Sequence, residues 1–291
     1  MLNQIKNAKA FQPVKKFFSQ PILCAFLALA GWLVCDFIMG IFMPESFPDW
    51  GKKAISLLVM SIYMLWVKKK LGNGFTLGFR FDNLGKSLLL STSALAVSAY
   101  FISQSIKVFL LLPVELSGKE FVTALLNQIF FGLLPGVSEE YQFRVILMGI
   151  VMHFTMGKKH RLALAVGLSS VLFGVLHLLN LTHAPLVDTI YQVFYAFAVG
   201  VLFAAVYART RNILAPMIAH SLWDITENFH LKFYPSLTEM PLELQPIMSE
   251  EMQNIIITVV LVAVGLYLLR PAKHHEIEEH WGSLAAEESA V

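Results

Sequence analysis

Charged side chains are scarce in this chain of 291 residues: only 14% are Asp, Glu, Lys or Arg, whereas 56% are hydrophobic. Soluble globular proteins carry about 25% charged residues, because those side chains cover the surface that faces water. A chain with so few of them has too little polar surface for water, so most of its surface must face lipid. The composition therefore predicts a multi-pass membrane protein.

An excess of charge of one sign is also missing, since 22 basic residues stand against 20 acidic ones. Nucleic-acid-binding proteins carry a strong basic excess on one face, so the balance excludes a nucleic acid as a partner. Only two cysteines are present, Cys24 and Cys35, and both lie in one apolar stretch. They are too few for a disulfide framework and match no metal-ligand spacing, so we expect two buried apolar side chains.

Apolar stretches long enough to cross a bilayer recur along the whole chain. A bilayer core about 30 Å thick takes about 20 mostly apolar residues per helix. The fold class that we predict is all-α, a transmembrane bundle of about eight helices. The predicted helices lie at roughly 21–43, 54–67, 87–112, 120–156, 161–180, 188–208, 212–230 and 252–270.

The stretch at 120–156 is too long for one crossing and contains a helix-breaking sequence, Leu134-Pro135-Gly136. Ser138 follows it and could cap the start of a second helix. We therefore expect a broken or re-entrant helix followed by a spanning one.

Lysine and arginine cluster in alternate loops, and positively charged loops stay on the cytoplasmic side of a membrane. The pattern predicts that both termini are cytoplasmic, in a cell membrane that we expect to be a prokaryotic inner or plasma membrane. The basic segments are the N-terminus, the loop that begins at Lys68, and the loops around Lys159, Arg209 and Arg270.

The two ends of the chain differ in composition from the apolar part between them. Residues 1–20 combine lysines with aromatic residues, which predicts a basic amphipathic segment on the inner membrane surface. Residues 271–291 are rich in glutamate, which predicts a disordered cytoplasmic tail. The transmembrane domain is expected to span residues 21–270.

The largest group of ionisable residues inside an apolar stretch is Ser138-Glu139-Glu140-Tyr141-Gln142-Phe143-Arg144. A charged side chain at the bilayer centre costs roughly 2.5–3.5 kcal/mol, so each one needs a partner or a purpose. Glu140 and Arg144 are four residues apart on one helical face and can form an ion pair. Glu139 points about 100° away from Glu140. Because it has no lysine or arginine within one turn, it is a candidate general base.

Two further patterns place ionisable residues on other membrane helices. Phe173 precedes His177 by one turn, and His220 precedes Asp224 by one turn. Three helices that each present a Glu or a His toward the interior are typical of a site in the core of a bundle. Polar residues that either join this site or lie at the ordinary membrane interface are Asn180, Glu227 and Asn228.

These three motifs, in this order on successive membrane helices, resemble the CAAX protease and bacteriocin-processing family. Its eukaryotic relatives are the type II CAAX prenyl endopeptidases. The resemblance covers a motif core at residues 119–230 and implies that residues 21–270 form a protease-like domain. It implies an intramembrane endopeptidase of glutamate type, with a membrane protein or lipid-modified peptide in the bilayer as its substrate.

The resemblance also implies a role for each motif residue. Glu139 and His177 would activate the hydrolytic water, while His220 and the residue at 224 would stabilise the oxyanion. An ionised Asp224 can only accept hydrogen bonds, so it is either protonated or orients His220. The residues that would hold the site together are Glu140, Arg144 and Phe173.

Other functions fit the same residues. Two histidines and a carboxylate are common zinc ligands, so a zinc-dependent version of the protease is one alternative. The His-Glu-x-x-His spacing is absent, and we therefore expect no metal and no other cofactor. A proton relay in a proton-coupled transporter is a second alternative, although the sequence contains no evident internal repeat. A scaffold that binds a membrane partner without cutting it is a third.

Overall fold

The computed structural model describes residues 30–31, 34, 47–71, 78–155, 158–235, 244 and 248–288. The described part contains helices and no β-strand, so the all-α prediction is confirmed. Its helices are α1 (Asp49–Leu71), α2 (Leu84–Leu90), α3 (Thr92–Leu111), α4 (Gly118–Glu140), a π-helical segment (Tyr141–Met148), α5 (Gly149–Phe154), α6 (Arg161–Leu176), α7 (Leu186–Thr210), α8 (Leu214–Thr226), α9 (Glu250–Leu268) and α10 (His274–Glu288). Short 3₁₀ helices lie at His177–Thr182, Phe229–Phe233 and Pro271–Lys273.

Five helical stretches of the described part are long and apolar enough to cross a membrane. They are Thr92–Leu111, Gly118–Met152, Arg161–Thr182, Leu186–Thr210 and Glu250–Leu268. The protein is therefore membrane-embedded. The total of eight helices and the cytoplasmic location of both termini stay predictions. Residues 1–20, Cys24, Cys35 and most of the first predicted helix lie outside the described residues.

Helix α7 lies at the centre of the bundle, and every residue from Ala198 to Thr210 is buried. It packs along α6 on one side and α9 on another. Gly200 faces the backbone of Ser170 in α6, and Gly265 of α9 faces the backbone of Leu202. Small residues at such contacts let helix backbones approach closely, which drives helix association where lipid replaces water.

The predicted helix break at Leu134-Pro135-Gly136 is wrong, because α4 runs continuously through Pro135 and continues as the π-helical segment. Ser138 does not cap a new helix. It is buried in α4, and its hydroxyl donates a hydrogen bond of 2.6 Å to the carbonyl oxygen of Leu134. Proline removes one backbone donor, but a membrane helix tolerates it where neighbouring helices hold the backbone.

The neighbour that holds α4 at this point is α8. A Cβ atom on Gly136 would lie 2.6 Å from the backbone nitrogen of Ser221, and one on Gly132 would lie 2.6 Å from that of Ile225. Gln128 adds hydrogen bonds of 3.0 and 2.9 Å to the carbonyl oxygens of Asp224 and Ile225. Only glycine permits this approach, which sets the distance between α4 and α8.

The predicted disordered tail at residues 271–291 is instead helical as far as Glu288. Ile277 is fully buried, and Trp281 is 4% exposed. The Trp281 indole nitrogen donates a hydrogen bond of 2.9 Å to the carbonyl oxygen of Ala208 in α7. A sequence rich in glutamate is ordered here because it carries two apolar anchors and packs against the end of the bundle.

The glutamates of α10 bind basic residues at the ends of other elements. Glu276 accepts from Lys86 Nζ at 2.7 Å and from Arg209 Nη2 at 2.9 Å. Glu278 lies 2.9 Å from Arg161 Nη2. Lys86, Arg161 and Arg209 come from three segments that the charge pattern assigns to one side of the membrane, and all three meet α10 at the same end of the bundle.

Replacing Gly136 should destabilise the protein. In Gly136→Ala the added methyl group meets the backbone of Ser221, and overpacking of this kind costs about 1–3 kcal/mol. We expect a lower Tm in detergent than for wild type. Gly167→Ala is the matched control, because its Cβ position lies more than 4 Å from any atom beyond its own stretch of helix, and it should show no loss. Equal Tm values for the two variants would contradict this packing.

The docking of α10 should depend on pH through Glu276. Partial burial alone would raise the pKa of the Glu276 carboxyl, but hydrogen bonds from Lys86 and Arg209, and their positive charges, lower it to about 2. A glutamate in an unfolded chain has a pKa of about 4.3. The ion pairs therefore stabilise the fold above about pH 5, and this contribution is lost as the pH falls toward about 2.

Glu276→Gln should accordingly lower the Tm at pH 7, and its difference from wild type should shrink as the pH falls below about 5. Thermal unfolding in one detergent across this pH range measures the effect. Glu279→Gln removes an exposed carboxylate of the same helix and serves as the control. A difference between Glu276→Gln and wild type that stayed constant down to about pH 2 would contradict the assignment.

Candidate active site

A cavity of about 420 Å³ opens among α1, α4, α6, α7 and α8. Cavities of about 300–1,000 Å³ are typical of small-ligand sites, and one of this size also accommodates a short stretch of peptide. All four residues that the sequence predicted to be catalytic line it, although they come from three different helical segments. They are Glu139, His177, His220 and Asp224.

A fully buried ion pair lies beside the cavity. Arg144 Nε and Nη2 donate to the two carboxylate oxygens of Glu140 at 3.0 and 3.3 Å, and both side chains are 0% exposed. Arg144 Nη1 donates to Ser169 Oγ at 2.9 Å, which in turn donates to the carbonyl oxygen of Phe143 at 3.0 Å. The pair therefore connects the π-helical segment to α6.

Glu140 also fixes His220. The Oε1 atom of Glu140 lies 3.0 Å from His220 Nδ1. Because a carboxylate bound to arginine can only accept, Nδ1 carries a hydrogen and donates it. The other ring nitrogen, Nε2, lies 3.5 Å from Asp224 Oδ2 and 4.0 Å from Glu139 Oε2. His220 therefore places Nε2 next to two carboxylates of the cavity.

His177 has its own fixed orientation at the end of α6. Its Nδ1 lies 2.8 Å from the carbonyl oxygen of Phe173. A carbonyl oxygen only accepts, so Nδ1 carries the hydrogen, and in the neutral ring Nε2 is the acceptor. Such an Nε2 can take a proton from a water molecule in the cavity.

Phe173 lies between the two histidines and the buried arginine. Its ring contacts His177 and His220 edge-on, with centroids 5.1 and 5.8 Å apart. The Arg144 guanidinium carbon lies 5.0 Å from the same ring centroid. The ring is 2% exposed and excludes water from the ion pair while it packs both imidazoles.

Several lining residues were missed by the sequence analysis. Gln192 and Tyr195 are three residues apart on α7, and Lys53 comes from α1. Gln192 accepts a hydrogen bond of 2.7 Å from Asn180, and Tyr195 stacks on Trp223. The sequence could have indicated Gln192 and Tyr195, because two polar residues three apart in an apolar helix lie on the same face.

The polar residues at the helix ends differ in their placement. Asn180 and Glu227 line the cavity, whereas Asn228 does not. Asn228 is exposed and has a positive φ of 51°, where the chain leaves α8 for the next 3₁₀ helix.

The two histidines and the carboxylates of the cavity are residue types that bind zinc. Within the described ranges, no group of three or more His, Cys, Asp or Glu side chains is arranged to hold a metal ion. Each imidazole donates from Nδ1, His220 to Glu140 and His177 to a backbone carbonyl, and histidines that bind a metal through Nε2 are commonly held in the same way. The described side chains form no cluster of three ligands, and metal independence itself stays a prediction.

A family model matches the part of the chain that builds this site. Residues 121–226 match the family model described as type II CAAX prenyl endopeptidase Rce1-like. No curated protein and no solved structure gave a significant match to the chain. The matched segment contains all three motifs, from Glu139 to Asp224. The predicted resemblance to the CAAX protease and bacteriocin-processing family is therefore confirmed, and it covers the segment that builds this site.

Proposed function

We propose that this protein is an intramembrane endopeptidase of glutamate type, which hydrolyses a peptide bond in a membrane protein or lipid-modified peptide. The family match supports a membrane endopeptidase of the CAAX-protease type. The observation that carries the mechanism is the convergence of Glu139, His177, His220 and Asp224 on one cavity. The buried hydrogen bonds among Glu140, Arg144 and His220 fix the charged groups beside the cavity, as a preorganised site requires.

The first step is the activation of water by Glu139 and His177. Both residues line the cavity, and the Nδ1 of His177 donates to the Phe173 carbonyl, so Nε2 is the nitrogen that can accept a proton. A water molecule between them loses a proton to one of these bases, and its oxygen attacks the carbonyl carbon of the peptide bond. The C–N bond then breaks, the amine takes up the proton, and the products are a carboxylate and an amine.

The second requirement is a donor for the negative oxygen that forms on the attacked carbonyl. His220 supplies it from Nε2 as the imidazolium, in which both ring nitrogens carry a hydrogen and Nδ1 donates to Glu140. The carboxylates of Glu139, Glu140 and Asp224 around the ring stabilise this positive charge. Asp224 Oδ2 lies 3.5 Å from Nε2 and is an acceptor, so we assign Asp224 to orienting His220. Glu140, Arg144 and Phe173 hold the imidazole in place.

Replacing Glu139 should abolish the chemistry without unfolding the protein. Glu139→Gln removes a base and a contact of 4.0 Å with His220 Nε2, but it leaves the fully buried Glu140–Arg144 pair intact. We expect cleavage of a membrane-anchored fluorogenic peptide in proteoliposomes to fall by at least about 10²-fold, the lower end of general-base contributions. The Tm should stay close to wild type. Cleavage by Glu139→Gln near the wild-type rate would contradict the proposal.

The neighbouring carboxylate should behave in the opposite way. Glu140→Gln leaves Arg144 buried without its counter-charge, and breaking such a pair typically costs about 3–5 kcal/mol. This variant should lose stability together with activity, whereas Glu140→Gln combined with Arg144→Met should recover much of the stability but not the activity. Thermal unfolding and cleavage are compared in one detergent. A larger loss of Tm in Glu139→Gln than in Glu140→Gln would show that the two roles are reversed.

Metal removal should leave the reaction intact. If Glu139 and His177 activate water directly, the chemical step needs no divalent ion. We expect activity to survive exhaustive chelation, with well under one zinc ion per purified chain by elemental analysis. The contrary result is stoichiometric zinc that is lost and restored together with activity, which would support the zinc-dependent protease instead.

A further inference from the structure

In the proposed mechanism the oxyanion receives one hydrogen bond from α8, donated by Nε2 of His220. Oxyanion sites of acyl-transfer enzymes combine several donors, because negative charge develops on one oxygen in a cavity that excludes water. Asp224 lies one turn further along α8 and lines the same cavity, but an ionised carboxylate only accepts hydrogen bonds. A second donor therefore has to come from an element other than α8.

Tyr195 of α7 carries the one hydroxyl group among the described residues that line the catalytic cavity. Its ring stacks on that of Trp223, with centroids 6.3 Å apart and planes inclined at 22°. Trp223 is 5% exposed and also meets the ring of Phe101 edge-on, with centroids 5.9 Å apart. These packed rings fix Tyr195 beside the residue that directly precedes Asp224.

The neighbours of Tyr195 also orient its hydroxyl group. Asn180 Nδ2 donates a hydrogen bond of 2.7 Å to Gln192 Oε1, which leaves the Nε2 end of that amide for other partners. Gln192 precedes Tyr195 by three residues on α7 and is the side chain that donates toward its hydroxyl. A hydroxyl that accepts from one neighbour keeps its own hydrogen for another acceptor. Tyr195 can offer that hydrogen to a group in the cavity.

The hydroxyl and the His220 imidazole share Asp224 as a neighbour. Asp224 Oδ2 lies 3.5 Å from His220 Nε2, and its charge also acts on the Tyr195 hydroxyl. The two donors therefore lie toward the same part of the cavity, although one belongs to α7 and the other to α8. A carbonyl oxygen placed there meets both of them.

We propose that Tyr195 is a further catalytic residue, whose hydroxyl donates a hydrogen bond to the oxyanion together with His220. This inference rests on the proposed function and adds a residue from α7 to its machinery. The hydrogen bond strengthens as the carbonyl oxygen gains negative charge, so it stabilises the transition state more than the bound substrate. Tyr195 thereby supplies the donor that an ionised carboxylate at position 224 lacks.

The substitution that tests the inference is Tyr195→Phe, which removes the hydroxyl but keeps the ring that stacks on Trp223. Tyr191→Phe is the matched control, because Tyr191 lies one turn earlier on α7 and lines only the smaller neighbouring cavity of about 190 Å³. With a membrane-anchored fluorogenic peptide in proteoliposomes, kcat of Tyr195→Phe should fall by about 10²–10³-fold, the loss that follows removal of one oxyanion donor. KM and Tm should stay close to wild type, and Tyr191→Phe should keep the wild-type kcat.

A binding measurement separates a catalytic role from a structural one. The probe is a phosphinic analogue of the same peptide, which is tetrahedral and anionic at the position of the cleaved bond. Tyr195→Phe should weaken its binding by the factor by which kcat/KM falls, because a transition-state analogue needs the same donor. On Glu139→Gln, the further change Tyr195→Phe should leave the Kd of the uncleaved peptide unchanged. These Kd values do not depend on the fraction of protein that folds, so they report on Tyr195 even if Tm falls.

The outcomes distinguish this inference from the proposed function. Equal kcat values for Tyr195→Phe and Tyr191→Phe, or a loss that appears only in KM, overturn the role of Tyr195 and leave the peptidase proposal intact. An absence of cleavage by wild type, together with a phosphinic analogue that binds no tighter than the peptide, overturns the peptidase proposal itself.

Discussion

The site depends on one buried carboxylate. Glu140 is completely inaccessible to solvent, and its two oxygens accept from Arg144 and His220. A charge in this environment is tolerated only when it is paired and fully hydrogen-bonded. Because its partners belong to the π-helical segment and to α8, and Arg144 continues to Ser169 of α6, this one requirement ties three elements together around the cavity.

Close backbone contact makes this network possible. The glycines at 132 and 136 bring α4 against α8, so that a carboxylate on one helix reaches an imidazole on the other. The π-helical turn begins at Tyr141, directly after the two glutamates, and all eight of its residues are buried. Such turns are frequent at functional sites because they redirect side chains without breaking the helix. Glu139 and Glu140 face different surroundings although they are adjacent, because successive residues of a helix point about 100° apart.

Two predictions failed for related physical reasons. The sequence rules for Pro135 and for the glutamate-rich tail describe segments in water, without neighbours. In the structure, α8 supports the backbone around Pro135, and the basic ends of α6 and α7 bind the glutamates of α10. Both outcomes depend on contacts between residues far apart in the chain, which local patterns do not contain.

The amino-acid pattern was enough to predict a helical, membrane-embedded protein and four of the residues that line the cavity. That is possible because a charged or polar residue in an apolar helix is costly, so Glu139, Glu140, Arg144, His177 and His220 are conspicuous without any coordinates. The partner that each of these residues binds depends on how the helices pack. The Glu140 partner of His220, the hydrogen on Nδ1 of each imidazole, and the presence of Lys53 in the cavity follow from helix packing. Helical spacing constrains neighbours within one turn, whereas the distance between two helices is set by the side chains and glycines of both.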